Sequence, residues 1–581
     1  MAQSDQTVDP IRPWALPLIC LAGTIAYLAV PSFQFVYDDR FQILENSTLL
    51  HISSIPQYFL HHVWSYIPDM PPSYYRPLFS TWLNLNYALF GPHAAGWHIA
   101  ALCVHLLASV LTYRLVSTIF GDRATGLLAG LLFAVHPAHV ESVAWVSGIT
   151  DPLTAVFVIT AFLAYRKARN ARGWMRVLTI SASLTCFACA LLTKETALLF
   201  PILLILDFLL LSKNEQSPST VVASVLPFVL LAAGYCLIRV KVIGSFSPTH
   251  IPLPTATLVY TLPSVLFFYL GLLLFPVGLS LFYDTPYVTG PDFLHFWIPS
   301  FVLIGAAAIT YACIRQLGVN RASGEDYRKR CVFFLLWAAL FLIPALNLKA
   351  LDPGEIAHDR YLYIPSIGLF AVAALLVRQL AARMTLPRRM QAVLGAALVG
   401  LLAFATAMQS FYWKSDFVLY RRGVSVGPGN LSARNNLANV YLESGDFERG
   451  IALHREILEK NPSHAESYYN IGMVYFNQGN FITAENYFKK ALTLRTRSDW
   501  YFRLGIAQFK NGELAAAEGS LTQALYGAPQ QSEFHIALGA VYEAEGKLNL
   551  ALQEFETAQR LDPANQPVRN EIIKIKQKLE G

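Results

Sequence analysis

The chain has 581 residues, of which 54% are hydrophobic and only 14% charged, with a mean hydropathy of +0.41. Soluble globular domains carry about 25% charged residues, so the composition excludes an ordinary soluble fold and points to lipid. The formal net charge of +6 divides unevenly: from Leu431 onward there are 16 Lys+Arg against 18 Asp+Glu, so the positive excess lies in the preceding part. That placement suits basic cytoplasmic loops and argues against nucleic acid as a partner.

In chain order, the apolar run from Trp14 to Val36 is longer than the core of a signal peptide and has no small-residue cleavage site, so it reads as a first span. Further spans are expected near 95–118, 124–137, 148–165, 175–193, 196–212, 219–243, 293–314, 331–346, 361–380 and 390–410. Several are short for a hydrocarbon core about 30 Å thick and need tilt or help from neighbours. All seven cysteines fall in or beside these segments, without metal-ligand partners, and neither disulfides nor a metal cluster is expected of them.

Basic residues set the expected sidedness. Arg166–Arg176, Arg315–Arg330 and Arg378–Arg389 are the loops richest in Lys and Arg, so they are expected in the cytoplasm. Residues 257–276 are apolar enough to cross, yet a crossing there would put Arg315–Arg330 outside. They are therefore read as a re-entrant or interfacial helix, interrupted by Pro263 and ended by Pro276. The expectation is about eleven spans with the N-terminus inside and the C-terminus outside.

After a linker at 411–430 the pattern changes. Gly445, Gly479, Gly512 and Gly546 recur at spacings of 34, 33 and 34, and Gly450, Ala484, Ala517 and Ala551 keep the same step. Small residues let the two helices of a hairpin approach, and a glycine turns the chain between them. This is the tetratricopeptide pattern, with four repeats over 431–563 and an amphipathic capping helix at 564–581. The register places Asn435, Asn439, Tyr469, Met473, Phe476, Phe502, Ile506 and Phe509 on the first helices, where they are expected to line a groove for an extended polypeptide.

The whole is thus expected to be all-α, a polytopic membrane domain over 1–410 followed by an α-solenoid. Polar groups in a membrane domain are costly, and their positions point to chemistry. Asp38 and Asp39 follow the first span. Arg76 stands in a Tyr-Tyr-Arg-Pro stretch, and His136, His139 and Glu141 stand in HPAHVES. Lys194-Glu195 ends the fifth span, and Asp359, Arg360 and Tyr361 stand at the start of the tenth. The expected topology puts all of these at the outer face, with Arg239 and Lys241. A carboxylate there can take a proton from a hydroxyl while guanidinium and ammonium groups hold a phosphate.

Each residue also has a plainer reading. The Asp pair could cap a juxtamembrane helix, and Arg76 could snorkel to the interface. Lys194-Glu195 could be a structural ion pair. His136 and His139 lack the HExxH spacing and are separated by a proline, so a divalent metal is the disfavoured reading there, and no cofactor is firmly implied.

The acidic pair, YYRP, HPAHVES, TKE and DRYLY, in this order and with a tetratricopeptide tail, resemble the transmembrane and tetratricopeptide O-mannosyltransferase family of GT-C glycosyltransferases. The resemblance covers nearly the whole chain. It implies an inverting transfer of a mannose-like sugar from a polyprenyl-phosphate donor to a hydroxyl acceptor, taken to be protein, outside the cytoplasm. It implies too that the acidic pair is catalytic and that Arg360 meets the lipid phosphate. The repeats would then lie in a bacterial periplasm or in the lumen of the endoplasmic reticulum. Two rivals come from other classes. A membrane-anchored tetratricopeptide scaffold would not need eleven spans. A polyprenyl-linked sugar transporter would place its polar groups near the midplane.

Overall fold

The computed structural model describes residues 14–67, 70–212, 217–245, 252–317, 319–320, 325–351 and 354–580. Part of the basic loop expected at Arg315–Arg330 lies outside the described residues. The chain divides into two compact units, Met1–Asn430 and Leu431–Gly581.

The first unit is a bundle of long apolar helices. Among the described residues ten are long and apolar enough to cross a membrane, and the bent pair Arg123–Val135 and Pro137–Ala144 makes up to eleven. The protein's own packing buries some of them, such as Val146–Asn170, but leaves others almost bare. Val393, Leu401 and Phe404, on the Arg388–Ser410 helix, are 65–66% exposed, an apolar surface that requires lipid. Helix ends follow local chemistry. Gly121 closes Ala94–Phe120 in the left-handed conformation, and Asp122 then caps Arg123–Val135 by accepting the Ala124 N–H at 3.1 Å. The Tyr363–Arg383 helix approaches Tyr327–Leu342 so closely that a Cβ at Gly368 would collide with the Phe334 carbonyl.

Ion pairs gather the basic segments at one end. Arg166 and Arg169 both meet the buried Asp207, and Arg169 also donates to Ser212 Oγ at 2.6 Å. Arg378 pairs with Asp122, and Arg383 donates to the Gln316 side chain and carbonyl at 2.6 and 3.0 Å. The segment Glu195–Leu211 ends at this cluster although its α-helical part, Phe200–Leu211, has 12 residues. Thr255–Leu274 is long enough to cross, but its contacts keep it at the other end. Tyr260 packs on Phe296, Thr261 accepts the Val288 N–H at 2.9 Å, and the Leu273 carbonyl meets His136 Nε2 at 3.1 Å.

One expectation needs correction. Residues 411–430 are no bare connector, because they carry the helix Asp416–Val426 and pack within the first unit. Asp416 Oδ1 accepts the Tyr37 N–H at 2.8 Å, and Trp413 stacks on Trp145 with ring centroids 6.2 Å apart. The sheet content is minimal: Val319–Asn320 pairs with Glu325–Asp326.

The second unit is four helical hairpins, from Leu431–Glu443 with Phe447–Lys460 to Ser532–Ala544 with Leu548–Leu561. Each hairpin turns at a glycine of positive φ, 84° at Gly445 and 77–81° at Gly479, Gly512 and Gly546. Only glycine adopts that conformation without strain. Gln566–Glu580 covers the end of the stack, burying Val568 and Ile575 against Phe555 and Ala558.

Candidate active site

At the end of the bundle opposite the basic cluster lies a cavity of about 440 Å³. The helices fix that separation. Asp151 lines the cavity and Arg169 stands 18 residues further along Thr150–Asn170, about 27 Å at the α-helical rise. Arg360 and Arg378 repeat the same interval across the next such helix.

Asp38 faces this cavity. It follows Tyr37, a non-glycine residue at φ 55°, a left-handed conformation that costs an aromatic side chain energy. The bond from Tyr37 N–H to Asp416 and the packing of its ring on Trp145 and Phe282 hold it there. Among the described residues none donates a hydrogen bond to the Asp38 carboxylate. Burial pushes its pKa up to about 6, against the pull of Arg360. Asp39 points the other way. It is fully buried and accepts from Ser147 N–H at 2.8 Å, Ser147 Oγ at 2.6 Å and Val36 N–H at 3.4 Å. Burial lifts its carboxyl to about 7 in spite of those bonds. The two adjacent acids therefore have different roles in the fold.

Across the cavity two guanidiniums share one carboxylate. Arg76 is bidentate to Glu195, at 3.1 Å through Nε and 2.6 Å through Nη2, and Arg239 Nη1 lies 3.6 Å from the same carboxylate. Burial alone would raise Glu195, but Arg76, helped by Arg239, holds its carboxyl well below the usual range. The cluster carries one excess positive charge. Lys194 Nζ meets both oxygens of Asp151 at 2.7 Å, and burial lowers its pKa against the pull of Asp151. Arg360 and Tyr361 complete the charged wall. Leu198, Leu199, Phe341, Pro344, Ile364 and Pro365 supply an apolar one.

Asp38, Arg76, Lys194, Glu195, Arg239, Arg360 and Tyr361 are thus brought together. Besides Asp39, four expected residues are not. His136 accepts the Ala138 N–H and meets the Leu273 carbonyl, and His139 bonds the Phe133 carbonyl and Ser366 Oγ at 2.8 and 2.9 Å. With both ring nitrogens engaged, these histidines brace the break between Arg123–Val135 and the following short helix. Glu141 is buried and pairs with Arg360, and Asp359 accepts from the Tyr283 hydroxyl. All four stand behind the cavity wall. Sequence reading missed Gln42, on the short helical stretch Arg40–Leu44, and Trp64 and Asn347, on irregular segments; all three line the cavity with no pattern of their own.

In the second unit the expected groove aromatics are half-buried between repeats instead of lining an open trough. Tyr469 stacks on Trp500 at 4.8 Å and Phe502 on Phe534 at 4.6 Å, while Phe476 packs edge-on against Phe481. Met473 and Phe509 fill neighbouring clusters. Large apolar side chains at these positions gain more from burial against the next repeat than they would from facing water.

A family model for dolichyl-phosphate-mannose-protein mannosyltransferases matches residues 72–240, and tetratricopeptide models match 429–497 and 502–566. The chain is similar to protein O-mannosyl-transferase TMTC3 of Homo sapiens, 25% identical over 79% of this chain and 53% of that protein. It is 27% identical to protein O-mannosyl-transferase TMTC1 of Homo sapiens over 79% of this chain and 56% of that one. With Tmtc1 of Drosophila melanogaster it shares 26% identity over 77% and 61%. The chain spans about half the length of the curated relatives it matches. Among solved structures, a tetratricopeptide protein titled as having an unusual peptide-binding site aligns at 23% identity and TM-score 0.27, over 28% of this chain and 84% of that one. The resemblance to the transmembrane and tetratricopeptide O-mannosyltransferases holds along most of the chain, and the chain is an integral membrane protein.

Proposed function

We propose that the chain is an inverting membrane glycosyltransferase of the GT-C kind, moving a mannose-like sugar from a polyprenyl-phosphate donor to a hydroxyl of a protein acceptor. The observation that carries this is the Asp38 carboxylate, to which no described residue donates a hydrogen bond, in the same cavity as the Arg76–Glu195–Arg239 cluster. Asp38 takes the proton of the acceptor hydroxyl as its oxygen bonds to sugar C1. The bond from C1 to the phosphate oxygen breaks, its electron pair leaves with the polyprenyl phosphate, and the configuration at C1 inverts. Arg76, Arg239, Lys194 and Arg360 stabilise the phosphate charge that develops, and the apolar wall takes the start of the prenyl chain. The names of the relatives support mannose as the sugar and protein as the acceptor.

A base whose pKa stands at about 6 sets a pH profile. Below pH 6 the Asp38 carboxyl is protonated and cannot accept a proton. The rate of transfer should therefore rise about tenfold per pH unit up to about 6 and level off above it. A kcat/KM profile over pH 4.5–8 checks this, and a flat profile through pH 6 would remove Asp38 as the base.

The cavity opens at the end away from the arginine-rich segments, so by the positive-inside rule transfer takes place on the non-cytoplasmic face, and the repeats lie there too. They serve as a protein-binding module tethered to the enzyme, which raises the local concentration of acceptor. Alkaline phosphatase fused after Gly581 should be active in a bacterial host. Activity only from a cytoplasmic reporter at that point would invert the topology.

A further inference from the structure

Beside the large cavity lies a small polar pocket of about 40 Å³, and Gln42 and Val63 line both. Three side-chain atoms around it are buried without a hydrogen-bond partner among the described residues: Gln42 Oε1, His62 Nδ1 and the Tyr66 hydroxyl. Gln42 as a whole is 5% exposed. Behind the pocket Asn46, Thr48 and Tyr58 are engaged with one another and with Asn84 Nδ2, while Asn84 Oδ1 is likewise buried without a partner among the described residues. The Thr48 hydroxyl lies 2.7 Å from Asn46 Oδ1 and 3.2 Å from the Tyr58 hydroxyl, and Asn84 Nδ2 donates to that hydroxyl at 3.0 Å. Buried polar atoms cost free energy unless they are hydrogen-bonded, so three around one pocket leave donor and acceptor capacity for a polar group that enters it. A volume of about 40 Å³ admits one hydroxyl group or one water.

Gln42 follows Asp38 by one helical turn, within the stretch that continues as Arg40–Leu44, and both residues line the large cavity. The pocket therefore opens beside the residue that would take the acceptor proton. We infer that Gln42, His62 and Tyr66 form the subsite that recognises a ring hydroxyl of the transferred sugar. The inference rests on the transferase reading and adds to it the residues that select the sugar. The acceptor brings its reacting hydroxyl to Asp38, so the hydroxyls left to be read at this end of the cavity are those of the sugar. A carbonyl oxygen, an imidazole nitrogen and a phenol can together accept from a hydroxyl and donate to it. A site built to bond a hydroxyl rejects an analogue that lacks it, because its own buried groups are then left unpaired.

The test uses the full-length protein in detergent with polyprenyl-phosphate mannose and its monodeoxy analogues as donors. The wild-type protein should use one deoxy analogue at least tenfold less well in kcat/KM. Gln42→Met and Tyr66→Phe should each lower kcat/KM for the parent donor about tenfold to a hundredfold and largely erase the discrimination at that one ring position. Ratios at the other positions should stay as in wild type, a pattern that general damage to the fold would not produce. Tyr66→Phe removes a single oxygen and keeps the test open if Gln42→Met is unstable. Unchanged discrimination in both variants would mean that the pocket holds water, and the inference would fail while the transferase reading stood. A wild-type protein that uses none of these donors sinks the transferase reading and this inference with it.

Discussion

Asp38→Asn is expected to abolish sugar transfer while leaving a folded protein, and Asp39→Asn to do damage of a different kind. Asp38 receives no hydrogen bond from any described residue, so replacing one carboxylate oxygen by an amide breaks nothing in the fold. It removes the proton acceptor from the cavity, and loss of a general base costs about 10²–10⁴-fold in rate. Asp39 accepts from two backbone N–H groups and one hydroxyl. An asparagine there can keep the two bonds from Ser147 on its carbonyl oxygen, but its NH₂ would then face the Val36 N–H, donor against donor. A buried donor left unsatisfied costs about 1–3 kcal/mol, so Asp39→Asn should lower thermal stability and retain some transfer. Melting curves and initial rates on the two purified variants separate the outcomes. Wild-type rates for Asp38→Asn, with inactivity and full stability for Asp39→Asn, would exchange the roles given to the two acids.

That difference between neighbours could not be read from the sequence. The spans, the repeats and the capping helix were legible because each repeats a physical pattern over many residues, apolar runs in one case and small residues at a fixed step in the other. The Asp-Asp dipeptide has no period. Which acid faces the cavity depends on Ser147, 108 positions away, and on Asp416, which holds Tyr37 from 379 positions away. The segment carrying Asp416 looked like a linker because it lies between two strong patterns and has none itself. The charged residues of the site were legible for another reason. An unhidden charge in a membrane protein is costly, so Arg76, Lys194, Glu195 and Arg360 stood out. Their partners did not, because pairing happens in space. The same limit applies to the aromatic positions of the repeats. Their register was visible, but the competition between groove and neighbouring repeat is decided by packing.

The other large effect concerns Glu141, one of the polar residues expected at the outer face, which the fold sets behind the cavity wall. Its Oε2 accepts the Arg360 N–H at 3.0 Å, and its Oε1 accepts from the Arg360 guanidinium. The Glu141 side chain is fully buried and that of Arg360 is 20% exposed, so this is an interior ion pair that also fixes the turn Asp359–Leu362. Removing one partner of such a pair leaves the other charge uncompensated, which costs about 3–5 kcal/mol. Glu141→Ala should therefore lower stability by that order, far more than a lost surface contact would. Replacing both charges by apolar groups of similar volume is often neutral, so Glu141→Leu combined with Arg360→Met should recover most of the loss. Activity should not follow. Arg360 lines the cavity, its guanidinium 5.4 Å from the Trp145 ring centroid and 5.3 Å from that of Tyr361, and the double variant has no cation there to meet the donor phosphate. The expected result is a stable double variant with a much raised KM for the lipid-linked donor and a reduced kcat. If the double variant is stable and transfers sugar at the wild-type rate, Arg360 serves only the fold, and the phosphate is held by Arg76, Arg239 and Lys194.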